Sequence, residues 1–197
     1  MANAFVPGGA YVEGARAQEE NMFRRTDCHF YVGPDEYNNT SDQYHSHMTS
    51  LLSAENGRVY LDSQHPRVCI RGPEDRSRSD LGYAWLPDAE VFPFYELRAA
   101  AQDLRNGSDF SVSNARKRIA AQLDTLIDHN VAHVVLGASG CGAFMNPAQY
   151  VAEIYRAEIE KRIQCLRVIV FAILSAGYGP DNLTPFQTVF GNYLKND

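Results

Sequence analysis

The chain has 197 residues, with 18 Lys plus Arg against 24 Asp plus Glu for a formal charge of −6, 45% hydrophobic and 21% charged residues. That balance suits one ordinary globular domain over residues 1–197 and argues against disorder, a generally basic nucleic-acid binder and direct DNA binding. Four scattered cysteines without a Cys-x-x-Cys pair, a longest apolar run (Val168 to Leu174) far below the ~20 residues that span a bilayer, and an N-terminus without signal-peptide character together predict a cytoplasmic or other intracellular protein, the nucleus included if eukaryotic, that makes no membrane contact.

In chain order, a start rich in Pro, Gly and small residues leads into a short helix over Glu13 to Arg25, with acids early and Arg24 and Arg25 late, as the helix dipole favours. Residues from Pro34 to Ser46 and from Gly72 to Gly82 read as loops, with a helix around Tyr44 to Ala54. Arg58 to Asp62 and Arg67 to Arg71 read as strands, whereas Phe92 to Leu104 mixes strand and helix signals and stays ambiguous. Ser113-Asn114 caps a helix with apolar Ile119, Leu123, Leu126 and Ile127, ending near His129-Asn130. A strand over Ala132 to Gly137, a helix from Pro147 to Ile163, a buried strand over Leu166 to Leu174 and a closing helix from Thr184 to Leu194 complete the pattern. Alternating strands and helices point to crossover units around a mostly parallel sheet, where ligands collect at glycine-rich loops.

Two loops are of that kind: Asn3-Ala-Phe-Val-Pro-Gly-Gly-Ala-Tyr11 and Gly137-Ala-Ser-Gly-Cys-Gly-Ala-Phe144. Glycines let backbone N–H groups approach an anion, and the helix after the second loop adds partial positive charge, so a pyrophosphate is the natural ligand. The second loop matches neither the phosphate loop of ATPases nor the dinucleotide fingerprint. Gln18-Glu19-Glu20 sets a carboxamide and two carboxylates beside the first turn; successive side chains on a helix diverge by about 100°, so the two acids can serve different groups.

Gly8-Gly9-Ala10, seven residues, then Gln18-Glu19-Glu20 resembles the poly(ADP-ribose) glycohydrolase signature, and Asn114 to Ile119 and Val135 to Pro147 resemble the microbial type of that enzyme. The resemblance implies a three-layer α/β/α macrodomain-like fold with a central mixed, mostly parallel sheet. It makes Glu20 the catalytic acid, with Glu19 and Gln18 placing the ribose at the scissile bond. Asn3 would hold a hydroxyl of that ribose, while Gly8, Gly9 and Ala10 press against it. Ser139, Gly140, Cys141, Gly142, Ala143 and Phe144 would wrap the diphosphate, with Phe144 flanking a ribose and Gly137 and Ala138 of the same loop also binding substrate, and Phe186 is a candidate for the adenine. The implied substrate is poly(ADP-ribose) or ADP-ribosylated protein, the product ADP-ribose, and neither a metal nor an organic cofactor is required. One carboxylic acid can protonate the leaving hydroxyl and then, as carboxylate, activate water.

Ala10 stands in place of the third glycine, Ser139 stands where a Trp is usual, and the chain starts inside the first motif. These departures keep two other readings beside the glycohydrolase: an ADP-ribose-binding module without turnover, and a hydrolase of single protein-bound ADP-ribose units. His45-Ser-His47 reads as loop histidines, Cys141 as a small packed thiol in preference to a nucleophile, Trp85 as packing, and Arg116-Lys-Arg118 as a solvated helix face.

Overall fold

The computed structural model of the protein describes residues 3–174 and 179–191, and the chain divides into two units, Met1–Ala99 and Ala100–Asp197. In the first, helix α1 (Gln18–Arg25) starts five residues later than its charge pattern predicts. Gly14, at φ +88°, cannot continue a helix, and the turn before α1 closes when Ala15 N–H donates to Ala10 O at 3.0 Å. The stretch from Pro34 to Ser46 is not wholly loop: β1 (Tyr37–Asn38) and β2 (Gln43–Tyr44) form an antiparallel hairpin, with Asp42 in the left-handed region at its turn. Helix α2 (Ser46–Leu52) follows and buries Met48 and Leu52.

The two strands expected over 58–62 and 67–71 are one, β3 (Tyr60–Cys69), paired antiparallel with β4 (Phe92–Arg98). The register slips between Asp62 and Arg67, where Asp62 Oδ1 accepts the N–H groups of Gln64 and His65, each at 3.0 Å, and turns the backbone. The ambiguous stretch from Phe92 thus becomes strand as far as Arg98. Its inward positions Glu96 and Arg98 explain why: Arg67, 0% exposed, donates to Glu96 Oε2 (3.1 Å), Asp62 Oδ2 (3.1 Å), His65 O (2.6 Å) and the Tyr60 hydroxyl (3.1 Å). Arg98 donates to Glu96 Oε2 at 2.9 Å and to Glu36 Oε2 at 3.0 Å. A guanidinium without such partners would cost several kcal/mol to bury, so strand pairing and charge pairing select the same register.

In the second unit, α3 (Val112–Asp128) is capped by Ser111, whose Oγ accepts Asn114 N–H at 3.3 Å, two residues before the expected cap. Strand β5 (His133–Leu136), helix α4 (Ala148–Glu160) and parallel strand β6 (Val168–Phe171) make the expected crossover unit. Tyr155 on α4 donates to Gln122 Oε1 on α3 at 2.8 Å, and Glu158 accepts from Arg116, Lys161 and Arg162 at 2.6–2.8 Å. Burial would raise the Glu158 carboxyl, but these three cations outweigh it and hold it at about 2.

Strand β6 is shorter and wetter than the apolar run Leu166 to Leu174 suggests. Phe171 packs on Tyr155 and on Phe186 of α5 (Leu183–Phe190), whereas Val168, Val170 and, opposite it, Val135 are exposed. The closing helix starts one residue earlier than expected, after Asn182, and the preceding Asp181 Oδ1 accepts Leu183 N–H and Thr184 N–H at 2.9 and 3.1 Å. The expected helix end, residues 192–194, lies outside the described residues. The described strands form three two-stranded ladders, two antiparallel and one, β5–β6, parallel. Among the described residues no helix is long and apolar enough to cross a membrane.

Candidate active site

In the first unit the loop from Asn3 to Ala10 is folded against the start of α1. Asn3 Oδ1 accepts Phe5 N–H at 2.8 Å and Val6 N–H at 3.2 Å, and Gly9 N–H donates to Val6 O at 3.1 Å, which coils the segment before the glycines. Gly8 and Gly9 then take φ of +71° and +58°. A Cβ on Gly8 would stand 2.5 Å from Phe23 Cδ1, and one on Gly9 would stand 2.5 Å from Glu20 Oε1. Both glycines are thus required by their neighbours in this unit as well as by backbone conformation. Ala10 needs no left-handed backbone, since it is absent from the positive-φ residues, so its methyl group meets no barrier of that kind.

The two acids reach different parts of the loop. Glu19 accepts Asn3 N–H on Oε2 and Gly8 N–H on Oε1, the latter at 3.1 Å, while Glu20 Oε1 accepts Ala10 N–H at 3.2 Å. Three N–H groups of this loop are therefore given to the protein's own carboxylates. Burial pushes the Glu19 carboxyl up to about 7, against the lowering effect of its backbone donors, and the neighbouring Glu20 pushes the same way. Glu20 is 8% exposed, and its second oxygen, Oε2, is buried without a hydrogen-bond partner among the described residues. A buried acceptor left unpaired costs free energy of about 1–3 kcal/mol, so this oxygen is the atom of the site with an unmet bond. Gln18 is exposed at the helix start.

Two supports were not read from the sequence. Arg24 ties the segment between loop and helix, with Nη1 donating to Ala15 O at 2.6 Å and Nη2 to Tyr11 O. Tyr44 N–H donates to Phe5 O at 2.7 Å and anchors the loop to the hairpin. The Arg-rich end of α1 was visible in the sequence, but its backbone targets were not.

In the second unit the loop after β5 turns at Gly140, φ +75°, where a Cβ would stand 2.5 Å from Ala101 Cβ. Asn146, buried and given no role by sequence, holds the loop from within: its Nδ2 lies 2.7 Å from Gln102 O, 3.1 Å from Phe144 O and 3.2 Å from Gly140 O. Among the described residues no hydrogen bond takes up the N–H groups of Gly142, Ala143 or Phe144, and the first two residues are exposed. Successive free N–H groups form an anion-binding concavity, and the 13-residue α4 follows. Gly137, Ala138 and Ser139 form the approach from β5; Phe144 lies under the guanidinium of Arg105 at 5.0 Å.

Other candidates resolve as follows. Cys141 is buried and its thiol is pushed up to about 12 by that burial, so it is a packed thiol and not a nucleophile. Phe186, 3% exposed among Tyr155, Phe171 and Phe190, is a core residue, which corrects its reading as an adenine platform. Trp85 stacks on Arg71 at 4.0 Å; Arg116 pairs with Glu158, and Arg118 donates to Asn114 Oδ1 at 2.7 Å and Ala100 O at 2.8 Å, so this basic run braces its own unit. His45 Nε2 lies 3.1 Å from Pro34 O, a loop role as expected.

An acid with an unpaired buried oxygen beside a glycine turn is thus present where the sequence motif places it. Residues 1–61 match the family model of the microbial-type PARG catalytic domain. That stretch holds the first loop, α1 and the hairpin. Among solved structures the chain is similar to poly(ADP-ribose) glycohydrolase from Deinococcus radiodurans in complex with ADP-ribose, at 22% identity and TM-score 0.66, covering 98% of this chain and 74% of that one. It is similar to the enzyme from Thermomonospora curvata at 23% identity and TM-score 0.64, covering 96% and 66%. The same enzyme bound to the inhibitor ADP-HPD gives 23% identity and TM-score 0.59, covering 98% and 68%. No curated protein matches the chain. At these identities the likeness establishes the fold: the chain has the α/β, macrodomain-like fold of these glycohydrolases.

Proposed function

We propose that the chain is a poly(ADP-ribose) glycohydrolase, a single catalytic domain over residues 1–197 that releases ADP-ribose and uses Glu20 as general acid and base. The observation that carries this reading is the Glu20 side chain: Oε1 is fixed by Ala10 N–H, and Oε2 is buried with no hydrogen-bond partner among the described residues. In the proposed reaction Oε2 gives its proton to the departing ribose oxygen as the C–O bond breaks and oxocarbenium character develops at the anomeric carbon. The carboxylate then takes a proton from water as its oxygen bonds to that carbon, which restores the acid. Glu19, Gln18, Asn3, Gly8, Gly9 and Ala10 are assigned to positioning the ribose. The N–H groups at Gly142 to Phe144, unpaired among the described residues, support the assignment of the Gly137–Phe144 loop to a diphosphate. None of these steps calls for a cofactor.

A cytoplasmic setting is part of the proposal and is supported by three buried free cysteines with no disulfide among the described residues. Ala10, in place of the third glycine, keeps an ordinary backbone conformation, so its methyl group brings no left-handed strain, which favours turnover over a binding-only module.

The test is release of ADP-ribose from purified poly(ADP-ribose), with Glu20→Gln assayed beside the unaltered chain and ADP-ribose binding measured on both. Glu20→Gln is expected to lose on the order of 10²–10⁴-fold in turnover and to keep its ADP-ribose affinity. Undiminished turnover would remove Glu20 from its role. Binding without turnover in either chain would make the protein a reader.

A further inference from the structure

Next to the assigned acid is an exposed aromatic surface that the proposed reaction has not used. Tyr11 directly follows Ala10, the residue bonded to Glu20 Oε1. Its ring lies 5.4 Å from Phe23, which sits three residues beyond Glu20 on α1, and 5.9 Å from His29, to which its hydroxyl is bonded at 2.7 Å. The His29 ring meets Phe30 edge to face at 5.5 Å, and Phe30 is 81% exposed.

The mounting of this surface is firm. Phe30 belongs to the 3-10 turn Cys28–Tyr31, in which Cys28 is fully buried and Phe30 N–H donates to Asp27 O at 3.0 Å. Asp27 in turn exchanges two bonds with Val68 of β3, at 2.7 and 3.2 Å. Phe30 is thus an exposed phenyl ring on an anchored turn, continuous with the rings of His29 and the half-buried Tyr11.

We propose that Tyr11, His29 and Phe30 form a nucleobase subsite for the leaving side of the polymer, which takes the adenine of the neighbouring ADP-ribose unit. This rests on the reading of Glu20 as the acid. The bond cleaved in poly(ADP-ribose) joins an anomeric carbon to a hydroxyl oxygen of an adenosine ribose, so the leaving group carries a base one sugar away from the proton donor. Stacking on aromatic rings is the chemistry that holds an exposed base, and a protein-linked single ADP-ribose has no base on that side. The subsite therefore selects polymer over mono-ADP-ribosylated protein.

The test uses the full chain with Glu20→Gln, which binds without cleaving under the proposed function. Its affinities for ADP-ribose and for a purified two-unit oligomer are compared, with Phe30→Ala and Phe30→Trp added in turn. The oligomer is expected to bind about tenfold more tightly than ADP-ribose, well beyond the roughly twofold statistical advantage of two units. Phe30→Ala should abolish that preference and leave ADP-ribose affinity unchanged, while Phe30→Trp should keep the preference. Equal binding of both ligands by the parent, or a preference that survives Phe30→Ala, overturns the subsite and leaves the glycohydrolase reading standing. Absence of all binding and of turnover in the unaltered chain overturns both.

Discussion

Glu19 and Glu20 are consecutive residues with separate tasks, because α1 sends one carboxyl to the N–H groups of Asn3 and Gly8 and the other to that of Ala10. Glu19 holds the loop, and burial raises it to about 7, above the ~4.3 of an unfolded Glu. The folded chain therefore binds the proton more tightly than the unfolded one. Its contribution is fully present below about pH 4 and is lost as pH rises through about 7. Glu19→Gln, which keeps one acceptor and removes the charge, is expected to melt higher relative to the unaltered chain at pH 8 than at pH 4. Thermal melts at both values check this, and a difference that is independent of pH would contradict it. The acids were legible in the sequence as chemistry because Gln18-Glu19-Glu20 stands at a fixed distance from two glycines. Which acid would be buried and which oxygen left unpaired was not, since both depend on where Ala10 and Gly8 fold back.

At the scale of elements, the two glycine loops are built on opposite plans. The first gives three N–H groups to its own carboxylates, whereas the second is braced from inside by Asn146 and leaves the N–H groups of Gly142, Ala143 and Phe144 without a partner among the described residues. Within the second loop the glycines differ in kind. Gly140 is left-handed and its Cβ would overlap Ala101, while a Cβ on Gly142 meets nothing. Gly140→Ala is expected to cost about 1–3 kcal/mol in urea unfolding, against less than about 0.5 kcal/mol for Gly142→Ala. Equal costs would show that packing at Ala101 is not the constraint. The crossover β5–α4–β6 was readable because its periodicity and its glycine turn are local. The hairpin β1–β2 was hidden in a turn-rich stretch of two-residue strands, and the single strand β3 was read as two because its continuity depends on Arg67 meeting Glu96, 29 residues away.

For the whole chain, the sequence motifs located both loops and the class of fold, and structural likeness over 98% of the chain to the Deinococcus enzyme supports that class. What sequence patterning overstated was burial. The longest apolar run became a four-residue strand with alternate valines in water, since a two-stranded ladder offers one face to its helices and the other to solvent. The cysteines show burial acting the other way. Cys28, Cys69 and Cys141 are enclosed, and Cys165, in the turn after α4, is exposed. The chain thus presents a single solvent-accessible thiol. A thiol-reactive reagent such as a maleimide or an aromatic disulfide is expected to consume one equivalent rapidly in the native protein and four once it is unfolded, which mass spectrometry reads directly; a second rapid equivalent would mean that one of the enclosed thiols opens on that timescale. The same residue gives the protein one place for a covalent dye, so that ligand titrations can be followed by fluorescence on the unaltered sequence without first removing any cysteine.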